Sequence, residues 1–139
     1  MADDINEFIV GEHTYKFSKM NVMRQIKVLK KLTSVLGVIA VLRDGEMDGG
    51  KAIEMFAKSI GGMEDSDFDF IIDECLSICQ RKGAKDRGYV HIWSHDAQQP
   101  MFQDIGPMAL LRIVFEVLKA SLGPFLDDAG RELKDAGLA

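Results

Sequence analysis

The apolar residues change their spacing along the chain, and the first spacing predicts a β-hairpin. Residues 8–10 form a short apolar run, a turn containing Gly11 follows, and polar and aromatic side chains alternate over residues 14–17. This pattern is typical of two short antiparallel strands. Successive side chains of a strand point to opposite faces, so Tyr15 and Phe17 share one face. Because a lone hairpin is only marginally stable in water, we expect these rings to pack on a helix.

A three- and four-residue spacing then predicts a long helix over residues 21–42. Asn21 is a suitable N-cap, since its side chain can accept hydrogen bonds from the free amides of the first turn. From Val35 to Leu42 apolar residues cover nearly every side of the helix, which indicates a segment that is buried or contacts another chain. The predicted core face is made of Val22, Gln25, Ile26, Leu29, Leu32, Leu36 and Ile39.

The remaining elements are mostly helical in pattern. We predict a short helix over residues 51–60 and a third helix that is capped by Ser66 or Asp67 and ends near Lys82. Residues 84–103 are irregular, and residues 89–93 could form one strand of a second hairpin. A last helix begins near Asp104, has Pro107 early in it, and ends at Gly123-Pro124.

These elements predict a mainly α (α+β) fold. It has about four helices, an N-terminal β-hairpin and room for a second short hairpin. We expect one α-rich globular domain over residues 1–125 and a polar, frayed C-terminal tail over residues 126–139.

Composition and charge narrow the class of protein. The chain has 139 residues, 47% of them hydrophobic and 28% charged, which is typical of a soluble globular domain. Its net charge of -5 argues against bulk nucleic-acid binding, which depends on neutralising phosphates. The acidic N-terminus is unlike a signal peptide, and the apolar run at residues 35–42 is too short to span a membrane. Two cysteines make no disulfide framework, so we expect a reducing cytoplasm.

Candidate chemistry is sparse. Cys75 and Cys79 lie four residues apart, as do His91 and His95, and these four could in principle hold zinc. The cysteines fall inside an apolar helical stripe, which favours their packing as small core residues. Ser94-His95-Asp96 contains the residue types of a catalytic triad, but three consecutive residues cannot adopt that geometry, so we interpret them as a polar turn. His13 is expected to be exposed and unpaired. No catalytic, cofactor or metal residues are predicted.

The pattern instead favours an interaction protein. The first helix carries more apolar surface than a monomer needs, and our candidate protein-binding residues are Val28, Val35, Val38 and Leu42. Eight methionines add adaptable apolar side chains. Residues 43–74 hold 3 basic and 10 acidic side chains, which is consistent with a solvated acidic segment or with an acidic binding surface.

Three stretches together resemble a known family. The first is residues 8–37, which include KMNVMRQIKVLKKLTSVLG, and the second is FIIDECLSICQRK at residues 70–82. The third is the pair MFQDI at residues 101–105 and LRIVFEVLKASLGPF at residues 111–125. In this order they are similar to the tail assembly chaperones of long-tailed bacteriophages. The resemblance implies a non-catalytic protein that binds the tape measure protein, its client, and keeps that long helical chain soluble until tail tube subunits replace it.

The same resemblance implies where the protein acts. Such chaperones work in the cytoplasm of the infected bacterium and are absent from the finished virion, and many have a longer form made by ribosomal frameshift. Self-association and contact with the tail tube protein are further expected partnerships, whereas nucleic acid and membranes are not expected partners. The alternatives are a structural component of a phage tail or capsid and a small metal-binding protein. The family provides no residue-level binding motif to transfer.

Overall fold

The computed structural model describes residues 5–32, 49–84 and 88–135, and within these ranges the chain forms four helices and six strands. The helices are α1 (Val22–Lys31), α2 (Gly49–Gly61), α3 (Asp65–Ser77) and α4 (Pro107–Asp135). The strands are β1 (Ile5–Val10), β2 (His13–Ser18), β3 (Cys79–Lys82), β4 (Tyr89–His91), β5 (Trp93–Ser94) and β6 (Gln99–Pro100).

The first four strands form one antiparallel sheet in the order β1-β2-β3-β4, and β5 pairs with β6 in a separate small hairpin. The β1–β2 hairpin lies where the sequence predicts it, with Val10 opposite His13. Gly11 lies in its turn with φ +63°, a left-handed conformation that glycine adopts without steric cost. In the middle of the sheet, Tyr15 pairs with Arg81 and Phe17 with Cys79.

The core lies between one face of this sheet and the helices. Tyr15 and Phe17 are both buried, as predicted from their shared face, and Phe8 packs on both rings. α4 contributes the largest set of buried side chains, and α2 packs on it through Phe56 and Phe115. α1 and α3 complete the core with four buried residues from α3 and, from α1 and its C-cap, Val28 and Leu32.

The prediction of a mainly α fold is wrong, because the structure is a mixed α+β fold with a four-stranded sheet. The predicted third helix ends at Ser77, and residues 79–82 form β3. Gln80, Arg81 and Lys82 are good helix formers, so local propensity favoured the helix. The open edge of β2 outweighs this propensity because it offers hydrogen-bond partners to the backbone. β3 in turn pairs with β4, which lies within residues 89–93, where the sequence indicates a possible strand.

Two helix ends also differ from the predictions. α4 begins at Pro107, slightly after the predicted start near Asp104, and runs for 29 residues through Gly123-Pro124, so the predicted stop there is wrong. A proline removes one helical hydrogen bond, yet the residues after it include several good helix formers. The cap of α3 is Glu64, without a side-chain hydrogen bond, in place of Ser66 or Asp67. The boundary at residue 125 between domain and tail stays a prediction.

No helix in the described parts of the chain combines the length and apolar character that crossing a membrane requires. α4 is the longest helix, and its first half is buried on one side within the protein core.

Candidate interaction surfaces

The outer face of α1 exposes three large apolar side chains. Val22 is 62%, Met23 59% and Ile26 50% exposed to solvent. Lys27 and Lys30 are exposed on the same helix. The helix starts as predicted, because the Asn21 side chain accepts hydrogen bonds from the amides of Met23 (2.8 Å) and Arg24 (3.4 Å). We define Val22, Met23 and Ile26, with Lys27 and Lys30 beside them, as the α1 outer face.

The opposite side of α1 fixes this orientation. Val28 and, at the C-cap, Leu32 are fully buried. Two ion pairs join the helix to α3, from Arg24 Nε to Glu74 Oε2 (3.4 Å) and from Lys31 Nζ to Asp67 Oδ1 (3.1 Å). Leu29 is partly buried against the core. The outer face therefore points away from α3 and into solvent.

The predicted binding residues are divided by this arrangement. Val28 has an exposure of 0% and belongs to the core, so it is not part of an accessible surface. Val35, Val38 and Leu42 lie outside the described residues, and for them the prediction stays a prediction. The predicted core face is wrong at Val22 and Ile26, which are exposed.

A physical reason explains this reversal. Residues 22 and 26 form one apolar stripe at helical spacing, and residues 28 and 32 form a second stripe, with Leu29 between the two and partly buried. Periodicity shows that both stripes exist, but it does not tell which one meets the core. A usable signal was present, since Lys27 and Lys30 mark the side of the helix that faces solvent.

A second candidate surface is an apolar groove of about 450 Å³ between α3, the β5–β6 hairpin and α4. Its volume lies within the range of roughly 300–1,000 Å³ that is usual for ligand pockets. Exposed Gln98 and Pro107 lie at its border, so the groove opens to solvent. Met101 and Met108, both largely exposed, directly follow two groove residues in sequence. Its apolar walls are Phe68, Ile72, Trp93, Pro100, Pro107, Leu110 and Leu111.

One carboxylate holds the hairpin that forms a wall of this groove. Asp73 on α3 accepts hydrogen bonds from Trp93 Nε1 (2.9 Å) and Gln98 Nε2 (3.0 Å), and it pairs with His95 Nδ1 (2.8 Å). The Ser77 hydroxyl lies 3.4 Å from the same carboxylate. The strands β5 and β6 have two residues each, so these side-chain bonds supply much of what fixes the hairpin to α3.

The backbone of this hairpin also needs support at one residue. Gln98 has φ +54°, a left-handed conformation that residues other than glycine rarely adopt. Its amide donates to the Ser94 carbonyl (2.8 Å), and its side chain donates to Asp73 and to the His95 carbonyl (2.7 Å). These bonds hold Gln98 in place at the rim of the groove.

The pKa values of the pair follow from these contacts. Burial by itself would raise the pKa of Asp73, but the hydrogen bonds from His95, Trp93 and Gln98 outweigh burial and lower it. The hydrogen bond and charge of Asp73 raise the pKa of His95. The charged forms of both side chains therefore stabilise each other, and His95 is held as imidazolium to a higher pH than a free histidine.

The rim of the groove is acidic. α3 contains five acidic residues and no basic one. Asp69 lines the groove and is exposed, and Asp65 lies one turn earlier on α3 and is exposed as well. Asp67 and Glu74 are already paired with α1. We define the apolar walls together with Asp65 and Asp69 as the acidic groove.

The residues proposed for a zinc site have other roles. Cys75 and Cys79 are fully buried, which confirms their prediction as core residues, and burial raises the pKa of both thiols. His91 lies 3.4 Å from the Gln80 amide, and His95 is paired with Asp73. Within the described ranges, no group of three or more His, Cys, Asp and Glu side chains is placed to hold a metal ion.

His95 and Asp96 lie in a turn, as predicted, and Ser94 is the last residue of β5 before it. Residues 95–98 connect β5 to β6, and the Ser94 hydroxyl accepts a hydrogen bond from the Ala97 amide (3.1 Å). His95 is oriented by Asp73 towards α3. The three residues therefore close a hairpin.

His13 is paired, contrary to expectation, and its partner belongs to the MFQDI stretch. Asp104 accepts from Arg81 Nη1 (3.0 Å) and lies 3.2 Å from His13 Nε2. The Arg81 guanidinium also stacks on the Phe102 ring, 3.8 Å from its centroid. The hydrogen bond from Arg81 lowers the pKa of Asp104 and outweighs desolvation, which acts to raise it. This stretch thus fastens the segment before α4 to the sheet.

A comparison with protein families gives one match that covers these surfaces. A family model described as phage tail assembly chaperone protein, TAC, matches residues 11–133. No curated protein and no solved structure matches the chain. The matched residues include the α1 outer face and the acidic groove.

Proposed function

The chain belongs to the phage tail assembly chaperone family, and from that premise we propose that it binds the tape measure protein of its phage. The chaperone keeps this long helical client soluble in the host cell until tail tube subunits assemble around it. This function is non-catalytic, because it requires only reversible cover of apolar surface.

The observation that carries the proposal is the α1 outer face. Val22, Met23 and Ile26 form an exposed apolar strip on a helix whose other side is anchored in the core. A helical client with an apolar stripe can pack along such a strip as two helices pack in a bundle. Methionine adapts to varied partners because its side chain is flexible and polarizable. One face can therefore accept successive parts of a long client.

Lysines beside the strip extend the contact. Lys27 and Lys30 can lay their aliphatic stems along the client and place their ammonium groups in solvent. Their charge favours client segments that carry acidic residues next to the apolar stripe. Val35, Val38 and Leu42 follow α1 in sequence, and we propose that they continue the client-binding surface.

The small size of the face suits a chaperone that must be removed later. Three side chains give modest affinity for one site, since buried area must first offset the cost of association. Many copies along one client increase the overall affinity without strengthening any single contact. Tail tube subunits can then displace the copies one after another.

Co-expression with the tape measure protein of the same phage tests this function. We expect soluble client to increase and to co-purify with several copies of the wild-type chain. Ile26→Asp should abolish this effect, because it places a charge within the apolar strip. The matched control is Met55→Asp on α2, where the side chain is also exposed, and it should retain activity.

Two results would contradict the proposal. The first is a client that stays insoluble with the wild-type chain, or that is equally soluble without it. The second is the chain itself as a stoichiometric component of purified virions, which would assign it a structural role in the tail.

A further inference from the structure

The two candidate surfaces are both apolar and are complementary in charge. The α1 outer face carries exposed apolar side chains flanked by lysines, whereas the acidic groove has apolar walls flanked by aspartates. We propose that the α1 outer face of one copy docks into the acidic groove of a second copy. The occupant of the groove is thus a second copy of this chain, bound head to tail.

The aspartates of the acidic groove are available to pair with a second copy. Asp65 and Asp69 form no ion pair with any described residue, and both are exposed. Phe68 and Ile72 lie between and after them on the same helix and line the groove. An incoming apolar side chain that carries a lysine beside it would therefore meet apolar walls first and a carboxylate at the rim.

The two lysines of the α1 outer face are also available to pair with a second copy. The sequence from Lys16 to Lys31 contains no acidic residue. Arg24 and Lys31 are paired with α3 of the same chain, but Lys27 and Lys30 form no ion pair with any described residue. Opposite charges that flank two apolar surfaces guide them into one register, and they lose strength as salt is added.

The contact must join two copies. Within one chain, α1 is fixed to α3 by buried Val28 and by the ion pairs of Arg24 and Lys31, so its outer face is turned away from the groove of its own chain. The two surfaces differ, so the interface is heterologous, and each bound copy still has one free surface of each kind. Copies can then add in succession to form a ring or an open chain.

The client and a neighbouring copy would compete for the α1 outer face, an inference that rests on the proposed function. The α1 outer face cannot hold the groove of a neighbour and the client at the same time. Client binding should therefore break the head-to-tail contact. Self-association would cover the apolar face until a client is present.

A mixing experiment with two variants tests the contact. Ile26→Asp disables the α1 outer face, and Asp69→Lys places a like charge against the incoming lysines. Sedimentation of each variant alone should show association at least about tenfold weaker than in the wild type. An equimolar mixture should form a one-to-one dimer, because each variant retains the surface that the other lacks.

Controls and contrary results are defined by the same measurement. Met55→Asp and Glu12→Lys change exposed residues of the same types on other elements and should associate as the wild type does. Circular dichroism checks that every variant is folded. A monomeric wild type, a mixture that stays monomeric, or association that neither variant weakens would overturn the proposal.

A second measurement separates this proposal from the proposed function. Asp69→Lys should still solubilise the client, whereas Ile26→Asp should not. If the wild type captures the client but does not self-associate, only the head-to-tail contact is overturned. If the variants mix as expected but the chain captures no client, only the proposed function is overturned.

Fluorescence gives a direct readout of docking. Trp93 lines the groove and is the single tryptophan of the chain, so its emission should change when a second copy enters the groove.

Discussion

The α1 outer face and the β5–β6 hairpin both present apolar side chains to solvent, yet the structure holds them in different ways. α1 is held by burial, with Val28 and Leu32 in the core behind the exposed strip. The β5–β6 hairpin has only Trp93 packed on the core, and its polar contacts converge on the single carboxylate of Asp73. The first surface therefore persists as long as the core does, whereas the second depends in addition on one side chain and its protonation state.

This difference teaches how the two surfaces can be altered separately. Burial of apolar area acts at any pH and is lost only with the fold. A charge-assisted network is strong while every partner is present, and it weakens sharply when one is removed. The following predictions test this contrast, from the largest expected effect to the smallest.

Shortening a side chain on the buried side of α1 should have the largest effect on stability. Leu32→Ala removes a fully buried side chain and should lower the free energy of unfolding by about 2–5 kcal/mol. Ile26→Ala, on the exposed side of the same helix, should change it by less than about 0.5 kcal/mol. Urea denaturation measures both. Equal losses in the two variants would mean that the outer face is packed, contrary to its exposure.

Replacement of the central carboxylate should have the next largest effect. Asp73→Asn removes the charge that accepts from His95 and weakens the bonds from Trp93 and Gln98, so we expect a loss of about 1–3 kcal/mol. Trp93 fluorescence should shift towards that of exposed tryptophan at urea concentrations below the main transition. A single unchanged transition would show that the hairpin does not depend on Asp73.

The ion pair between α1 and α3 should contribute less. Arg24 is half exposed, so the coupling between Arg24→Ala and Glu74→Ala in a double-mutant cycle should be about 0.2–1 kcal/mol. The coupling should decrease as salt is added. A larger coupling that is insensitive to salt would indicate that this pair, and not Val28, fixes the orientation of α1.

The pH dependence should be the smallest effect. The raised pKa of His95 gives a contribution that is complete below about pH 6.5 and is lost as pH rises through the folded-state value. The lowered pKa of Asp73 gives one that is present above about pH 4 and is lost as pH falls through its folded-state value. Trp93 fluorescence, measured against pH, should change both at low pH and at high pH. His95→Gln should remove only the change at high pH. If the change at high pH persists in His95→Gln, it comes from another titrating group.

Sequence patterns identified the elements that depend on local chemistry. Alternation and Gly11 indicate the first hairpin, the Asn21 side chain caps α1 as expected, and the apolar helical stripe indicates that Cys75 is a core residue. Each of these depends on neighbours within a few residues. The resemblance to tail assembly chaperones also agrees with the family match.

Features that depend on distant partners were beyond such patterns. The strand at residues 79–82 exists because β2 and β4 lie on either side of it, and its own residues favour a helix. The choice between the two apolar stripes of α1 is made by α3, through Val28 and two ion pairs. The acidic groove joins residues from three separate elements, so no single stretch of sequence predicts it.

The strand order also sets a sequence of events during synthesis. β2 lies in the middle of the finished sheet, but its partner β3 is translated only after α1, α2 and α3. Until then, the N-terminal hairpin has two open edges and an aromatic face without cover, which makes it prone to pair with other chains. α4 supplies the largest share of the core and is made last. The nascent chain therefore passes through an aggregation-prone stage before its own fold is complete.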